Sequence, residues 1–233
     1  MSLYKIADAI VEMSPKYPQT LHWYTPYLFE ETDAKPHFSI EATDEEIKSL
    51  VEKGTDITEP IAENMILCNK FNRHLLNAFG GYIHSSALMY DDKVYLFSAD
   101  SGVGKSTHTK KWCRLFPDKA KVINDDKPSF RIKGGKCYVY GTPFAGGTDI
   151  QQNASGELGA LVFVERSEEN RLVKIDSKQA LVLLMQQTPK KFTRVAVDRI
   201  LTMYSKILTD YPVYKLYCAD NDNAVEVAFQ IIN

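Results

Sequence analysis

The residues with the clearest chemical meaning lie in one stretch, 94–107, where a short apolar run leads into a glycine-containing turn and then into a segment that favours helix. This order predicts a strand, a phosphate loop and a helix. Successive backbone N–H groups between residues 99 and 105 can surround the oxygens of a polyphosphate, and the positive end of the new helix adds to the attraction. Lys105 supplies a mobile positive charge for the outer phosphates, and Ser106 supplies a hydroxyl suited to a magnesium ion.

The predicted nucleotide-binding residues follow one another without a gap. They are Asp100, Ser101, Gly102, Val103, Gly104, Lys105, Ser106 and Thr107. Ala99 stands where this motif usually begins with glycine, and because alanine disfavours positive φ, we expect a narrower loop there. The alternative is a glycine turn that binds nothing, which the strand-to-helix context disfavours.

Two neighbouring carboxylates form the second group with chemical potential. Asp125 and Asp126 end a predicted buried strand, and ligands of open α/β sheets bind at the carboxyl ends of strands. Adjacent side chains on a strand point to opposite faces, so we expect one aspartate at a magnesium ion and the other accepting a proton from a hydroxyl. Ser106 and Asp126 are the predicted metal ligands, although the residues alone leave the division between the aspartates open. The alternative to a catalytic role is that Asp125 and Asp126, which precede Lys127 and Pro128, only form a turn.

His84 is predicted to lie at the end of a strand beside the loop strand, which would bring it to the same site. A histidine in a strand is often only structural, and the sequence leaves that alternative open. Together, His84, Lys105, Asp125 and Asp126 form the predicted catalytic set. They provide the positioning and charge neutralisation that phosphoryl transfer from ATP requires.

The composition limits the class of protein. The chain has 233 residues, 44% of them hydrophobic and 25% charged, which is typical of a soluble globular protein with one substantial core. The net charge is −2 with both signs mixed, so neither nucleic acid nor a membrane is expected as a partner. No apolar run approaches the roughly 20 residues of a membrane span and no signal-peptide core is present, so we expect a cytoplasmic protein. The four scattered cysteines disfavour disulfide or zinc frameworks.

The first quarter of the sequence predicts a small α+β subdomain, residues 1–57. Loose alternation over residues 3–13 favours a strand, residues 36–41 predict another, and Thr43 begins a helix with an acidic first turn. The aromatic stretch 15–36 is interpreted as packing of this subdomain, with a ligand-stacking surface as the alternative.

Residues 58–233 are predicted to form the nucleotide-binding domain. A helix over residues 59–79 links the two parts, and two strands, 82–90 and 93–98, form a hairpin that leads into the phosphate loop. The other predicted elements are helices at 105–116, 177–187, 193–209 and 221–232, and strands at 119–126, 128–132, 136–140, 157–165 and 213–218. A glycine-rich loop, 141–148, is expected to be mobile or to face a ligand.

Three segments, 83–88, 96–107 and 122–126, resemble the catalytic core of the HPr kinase/phosphorylase family, and Asp100-Ser-Gly-Val-Gly-Lys-Ser106 is the most specific part. The resemblance covers residues 82–132. It implies an α/β fold with an α+β tendency, in which a phosphoenolpyruvate carboxykinase-like P-loop core contains a mixed sheet and hairpins. It also implies ATP and Mg²⁺ as cofactors. One aspartate of the pair would then act on a substrate serine hydroxyl, its neighbour would approach the magnesium ion, and His84 would lie near the transferred phosphate.

The predicted function is an ATP-dependent phosphotransferase acting on a hydroxyl of a protein, a peptide or a small molecule. Thr107 stands where the bifunctional HPr enzymes usually have an acidic residue, and their second signature loop is not found, so phosphorolysis and HPr as substrate are left open. Two alternatives remain. One is a nucleotide-sensing module without transfer activity, which is considered because Ala99 replaces the usual glycine. The other is a phosphoenolpyruvate carboxykinase-like enzyme, which would need clustered arginines. The sequence does not identify the phosphate acceptor or the oligomeric state, and a homo-oligomer is possible.

Overall fold

Two β-sheets carry the fold in the computed structural model, which describes residues 1–31, 33–100, 102–188 and 193–232. Within these ranges one sheet has three strands and the other has nine. Helices pack on both faces of the larger sheet, so the chain is an α/β protein with a mixed sheet, as the sequence predicts. The finer phosphoenolpyruvate carboxykinase-like topology stays a prediction. Across the described ranges, every helix is too short or too polar to cross a bilayer.

The N-terminal elements form the smaller sheet and its helices. They are β1 (Ser2–Ile6), β2 (Ala9–Met13), α1 (Pro18–Tyr24), β3 (Phe38–Ser39) and α2 (Asp44–Val51). The prediction of one strand over residues 3–13 is wrong, because the chain turns at Ala7 and Asp8, which have φ of 48° and 59°. Two positive φ values in succession allow a two-residue hairpin turn, but alanine gives no sequence signal for it. Helix α1 was not predicted either.

Helix α2 begins as predicted. The Thr43 side chain accepts a hydrogen bond from the backbone N–H of Glu46, whose carboxylate in turn accepts from the N–H of Thr43. This capping box satisfies two amides that the first helical turn would leave without partners. The sequence signature of the cap therefore identifies the helix start to the residue.

Helix α3 (Glu59–Leu75) follows, and its apolar face packs into the core of the N-terminal elements. A short 3₁₀ turn and Phe79, in the left-handed conformation, end the predicted helical stretch before Gly80. Since Leu67 and Phe71 of α3 share a core with Ile6 and Val11, the helix belongs to that packing unit. The boundary at residue 57 stays a prediction.

The larger sheet contains the remaining strands, and the remaining helices flank it. The strands are β4 (Gly80–Tyr82), β5 (Ser86–Tyr90), β6 (Lys93–Ser98), β7 (Ala120–Asn124), β8 (Ser129–Lys133), β9 (Lys136–Tyr140), β10 (Ser155–Arg166), β11 (Arg171–Lys174) and β12 (Val213–Cys218). The helices are α4 (Lys105–Leu115), α5 (Ser177–Gln186), α6 (Arg194–Asp210) and α7 (Asn223–Ala228). The order β4-β8-β9-β10-β6-β5-β7 runs across the sheet, and β12 pairs with β10 and with β11.

Alternation along the strands divides the core into two layers. In β6, Val94 and Leu96 pack with α5 and α6, whereas Tyr95 and Phe97 pack on the opposite face with α4 and α7. Successive side chains of a strand point to opposite faces, and here both faces are covered by helices. This explains why the β6 sequence is a continuous apolar run.

Three strands of the larger sheet end at one edge. Strands β6 and β10 are parallel, and β7 runs in the same direction as β6 because both are antiparallel to β5. The loop after Ser98, the aspartates after Asn124 and the end of β10 at Arg166 therefore meet at this edge. In open α/β sheets the carboxyl ends of strands form the ligand side.

His108 of α4 is buried between the helix and the sheet. Only 4% of the residue is exposed, and its Nε2 accepts a hydrogen bond of 3.0 Å from Trp112 Nε1. Burial, together with the charge of Lys111, lowers the pKa of His108 to about 4 from the unperturbed 6.5. The folded chain thus keeps this ring neutral well into the acidic range.

We therefore expect the free energy of unfolding to fall as the pH is lowered from about 6.5 to about 4. In this window the unfolded chain binds a proton at His108 that the folded chain does not, which costs up to about 3 kcal/mol of stability. Urea unfolding near neutral pH and at about pH 4.5 measures the loss. His108→Gln should lose less than wild type, and the exposed His22→Gln should follow wild type. An equal loss in all three proteins would contradict the assignment.

Candidate active site

A cavity of about 390 Å³ lies at the edge where β6, β7 and β10 end. It brings together most of the predicted site residues: His84, Gly102, Gly104, Lys105, Ser106, Thr107, Asp125 and Asp126. Asp100 and Val103 do not line it, and Val103 faces a neighbouring cleft of about 50 Å³. Ser101 lies outside the described residues.

The glycine loop between β6 and α4 contains two glycines in a left-handed backbone conformation. Gly102 and Gly104 have φ of 80° and 116°, values that other residues rarely adopt. Ala99 is absent from the described non-glycine residues with positive φ, so the backbone at this position does not need glycine. The replacement of glycine by alanine at the loop start is therefore compatible with a phosphate loop.

Lys105, the first residue of α4, is held against this loop. Its Nζ donates to the carbonyl oxygens of Ala99 at 3.0 Å and Asp100 at 3.5 Å, and only 7% of the residue is exposed. Burial lowers the pKa of Lys105, and the carboxylates of the site offset this effect only in part. An anion entering the cavity would restore the favourable surroundings of a buried ammonium group.

The two aspartates both line the cavity because β7 ends at Asn124, one residue before them. The expectation that they point to opposite faces of a strand therefore does not hold. Asn124 shapes the bend: its Oδ1 accepts from the N–H of Asp126 at 2.9 Å, and its Nδ2 donates to the Thr142 carbonyl at 2.9 Å. The glycine-rich loop that contains Thr142 thus fixes the position of both carboxylates.

Asp125 and Asp126 have different surroundings. Asp125 is 8% exposed, and its Oδ1 is buried without a hydrogen-bond partner among the described residues. Such an atom is costly unless a ligand satisfies it. Asp126 has a partner at each oxygen: His84 Nε2 lies 3.3 Å from Oδ1, and Lys127 Nζ lies 3.3 Å from Oδ2.

These partners determine the charge of Asp126. Burial alone would raise its pKa, but the hydrogen bond from His84 and the positive charge of Lys127 more than offset burial, so the pKa of Asp126 lies below its usual value. Asp126 is therefore a carboxylate at neutral pH.

His84 lies between β4 and β5 because the predicted strand 82–90 is interrupted after Tyr82. Its carbonyl oxygen accepts from Ser98 Oγ, the last residue of β6, at 2.8 Å. Since β5 is antiparallel to β6, the start of β5 lies beside the end of β6. This pairing brings His84 next to the loop, as the sequence predicts.

The cavity offers few protein ligands for a magnesium ion. Within the described ranges, no group of three His, Cys, Asp or Glu side chains is arranged to hold a metal ion. Magnesium bound with a nucleotide commonly takes one or two protein oxygens and fills its other positions with phosphate oxygens and water. The Ser106 hydroxyl and the unpaired oxygen of Asp125 could supply these one or two protein oxygens.

No protein-family model matches the chain, and no curated protein sequence matches it. Among solved structures, it is similar to the HPr(Ser) kinase/phosphatase of Coxiella burnetii, at 11% sequence identity and a TM-score of 0.39. The match covers 65% of this chain and 87% of that chain. Such values describe a distant resemblance, and the chemistry of the cavity depends on its own side chains.

Sequence reasoning missed one residue that lines the cavity and two that contact its side chains. Arg166, at the end of β10, lines the cavity and donates from Nη2 to the Gly102 carbonyl at 3.1 Å. Lys127 contacts Asp126, and Gln187 contacts His84 Nδ1 at 3.1 Å. Arg166 could have been found as a charged residue ending a strand parallel to the loop strand, but Gln187 comes from a distant helix end and gives no local signal.

The glycine-rich loop 141–148 lines the cavity through its second half, at Ala145, Gly146 and Thr148. Gly146 has φ of 63°, and a Cβ there would lie 2.9 Å from Asp126 Oδ2. For the phosphate transfer proposed below, we expect Gly146→Ala to displace Asp126 and to lower the rate at least about tenfold, since small misplacements of reacting groups are costly. The measurement is the steady-state rate with ATP.

Gly147→Ala is the matched control for this prediction. Gly147 also has positive φ, at 80°, so alanine strains the backbone in both variants, but its Cβ would lie 3.6 Å from Ile61, an ordinary contact. Equal rates in the two variants would show that backbone strain, and not contact with Asp126, causes the loss.

Proposed function

We propose that the protein is an ATP- and magnesium-dependent phosphotransferase whose acceptor is a hydroxyl group. One observation carries the proposal: a single cavity combines a positive-φ glycine loop and Lys105 with two aspartates, Asp125 and Asp126. Phosphoryl transfer needs mainly positioning and charge neutralisation, and these groups supply both.

On the donor side, the loop amides and the N-terminal end of α4 bind the phosphates, with Lys105 at the outer ones. Ser106 and Asp125 would hold a magnesium ion, Asp125 directly or through water, and the bound ion would supply charge neutralisation at the phosphates. The unpaired Oδ1 of Asp125 supports this assignment over the expected one to Asp126, whose two oxygens already face His84 and Lys127.

On the acceptor side, Asp126 orients the attacking hydroxyl and accepts its proton. The hydroxyl oxygen forms a bond to the γ-phosphorus while the bond from phosphorus to the bridging oxygen breaks, which leaves ADP. His84 and Lys127 hold the carboxylate of Asp126 in place from its two oxygens.

Arg166 adds positive charge at the phosphate side of the cavity. It is the only arginine among the described residues that line the cavity. A phosphoenolpyruvate carboxykinase-like enzyme would need several such groups for a dicarboxylic substrate, so the cavity favours a neutral hydroxyl acceptor.

The test is incubation of the protein with γ-labelled ATP, magnesium and a library of serine-, threonine- and tyrosine-containing peptides. Labelled peptide, or ADP formed in its presence above the level of the Lys105→Ala variant, supports the proposal. Failure of ATP to bind, measured by calorimetry, would overturn it. Bound ATP that keeps its terminal phosphate with every acceptor would overturn the transfer step and indicate a nucleotide sensor.

A further inference from the structure

Gln187, the residue that follows α5, joins two parts of the site that are far apart in the sequence. Its Oε1 lies 3.1 Å from His84 Nδ1, and its Nε2 donates to Asp100 Oδ1 at 3.0 Å. Asp100 belongs to the phosphate loop, where its carbonyl oxygen accepts from the N–H of Val103 and from Lys105 Nζ. The amide of Gln187 therefore contacts the nucleotide side and the acceptor side together.

The chemistry of the partners fixes the direction of these hydrogen bonds. An ionised carboxylate only accepts, so the NH₂ group of Gln187 has to face Asp100. The amide oxygen of Gln187, which also only accepts, then faces His84 Nδ1, and this ring nitrogen has to carry a hydrogen. The orientation of one amide thus requires a hydrogen on Nδ1 of His84.

The same contact holds the ring of His84 so that its Nε2 faces Asp126. His84 Nε2 lies 3.3 Å from Asp126 Oδ1, on the opposite side of the ring from Gln187. The backbone of His84 is held separately, by Ser98 Oγ at 2.8 Å. Loss of Gln187 would leave the backbone in place but free the ring to rotate and leave Nδ1 without its acceptor.

We propose that Gln187 is a positioning residue, which fixes the Nδ1–H form and the orientation of His84 and ties them to the phosphate loop through Asp100. Its part in catalysis rests on the function proposed above, whereas its effect on the histidine ring does not. Groups that orient a metal-ligating histidine from behind are commonly worth 10- to 100-fold, and by analogy we expect about tenfold for His84, which contacts Asp126.

The first test is nitrogen-15 NMR of the ligand-free protein, with His84 assigned from the spectrum of His84→Asn among the five histidines of the chain. Wild type should show a slowly exchanging Nδ1–H for His84. Gln187→Leu should lose this signal, and Gln187→Glu combined with Asp100→Asn, which keeps an acceptor facing the ring and a donor between the two side chains, should retain it. The matched control is Gln186→Leu, because Gln186 is exposed and one residue earlier. An unchanged His84 signal in Gln187→Leu would overturn the proposal.

The second test is kinetic. In Gln187→Leu we expect kcat to fall about tenfold with KM for ATP changed less than about threefold, and no change in Gln186→Leu. Equal kcat in Gln187→Leu and Gln186→Leu would overturn the catalytic part. If the wild-type protein does not transfer phosphate, the proposed function is wrong. The NMR result then still decides whether Gln187 fixes the His84 ring.

Discussion

Lys105→Ala should weaken ATP binding at least about tenfold and reduce phosphate transfer about a hundredfold or more. The ammonium group is buried beside loop carbonyls, and hydrogen bonds to charged groups contribute about 1.5–3 kcal/mol each. A cation aimed at a transferring phosphoryl group contributes more in the transition state, where removing one preorganised donor costs about 10²–10³ in kcat. The rate should therefore fall further than the affinity.

Calorimetry with ATP and magnesium, followed by the transfer assay, measures both effects. Lys110→Ala is the matched control, because Lys110 belongs to the same helix and its side chain is exposed. Circular dichroism of both variants should match wild type, since alanine favours the helix. Unchanged affinity in Lys105→Ala would contradict the phosphate site itself.

The sequence predicts the site best where the signal is local. The strand, loop and helix from β6 to α4 are contiguous, and glycines, lysine and serine at fixed spacing define them together. The start of helix α2 is equally well predicted because its capping box lies within four consecutive residues, Thr43 to Glu46. The position of the loop between strand and helix therefore follows from these residues.

Short elements were missed for a physical reason. Strands β4 and β11 have three and four residues, too few to show alternation, and their positions depend on neighbouring strands. The bend after Asn124 depends on hydrogen bonds to Thr142, so the placement of both aspartates in one cavity could not be derived from strand periodicity. Long-range pairing overrides the local pattern at these places.

The partners of the predicted site residues are the least predictable part. Gln187 lies 103 residues after its partner His84, and Arg166 lies 64 residues after its partner Gly102. Neither has a local motif, since each is brought to the cavity only when the sheet and its flanking helices have formed. The sequence therefore identifies groups that could react, and the fold identifies those that orient them.

Asp126→Asn should bind ATP within about threefold of wild type but transfer phosphate at least about a hundredfold more slowly, the size expected for loss of a general base. Asparagine keeps the shape of the side chain and an oxygen for Lys127, but it cannot take the proton of the acceptor hydroxyl. Asp118→Asn is the control, since Asp118 is an exposed carboxylate near the opposite end of β7. The measurements are calorimetry with ATP and the rate of peptide labelling.

Asp125→Asn separates the two carboxylates, because the proposed division gives Asp125 the metal and Asp126 the proton. Its transfer rate should also fall about a hundredfold, but the magnesium concentration for half-maximal rate should rise, since a neutral amide is a poorer ligand for magnesium than a carboxylate. Asp126→Asn should leave that concentration unchanged. A raised magnesium requirement in Asp126→Asn alone would reverse the division, and retained transfer in both variants would remove the aspartates from the mechanism.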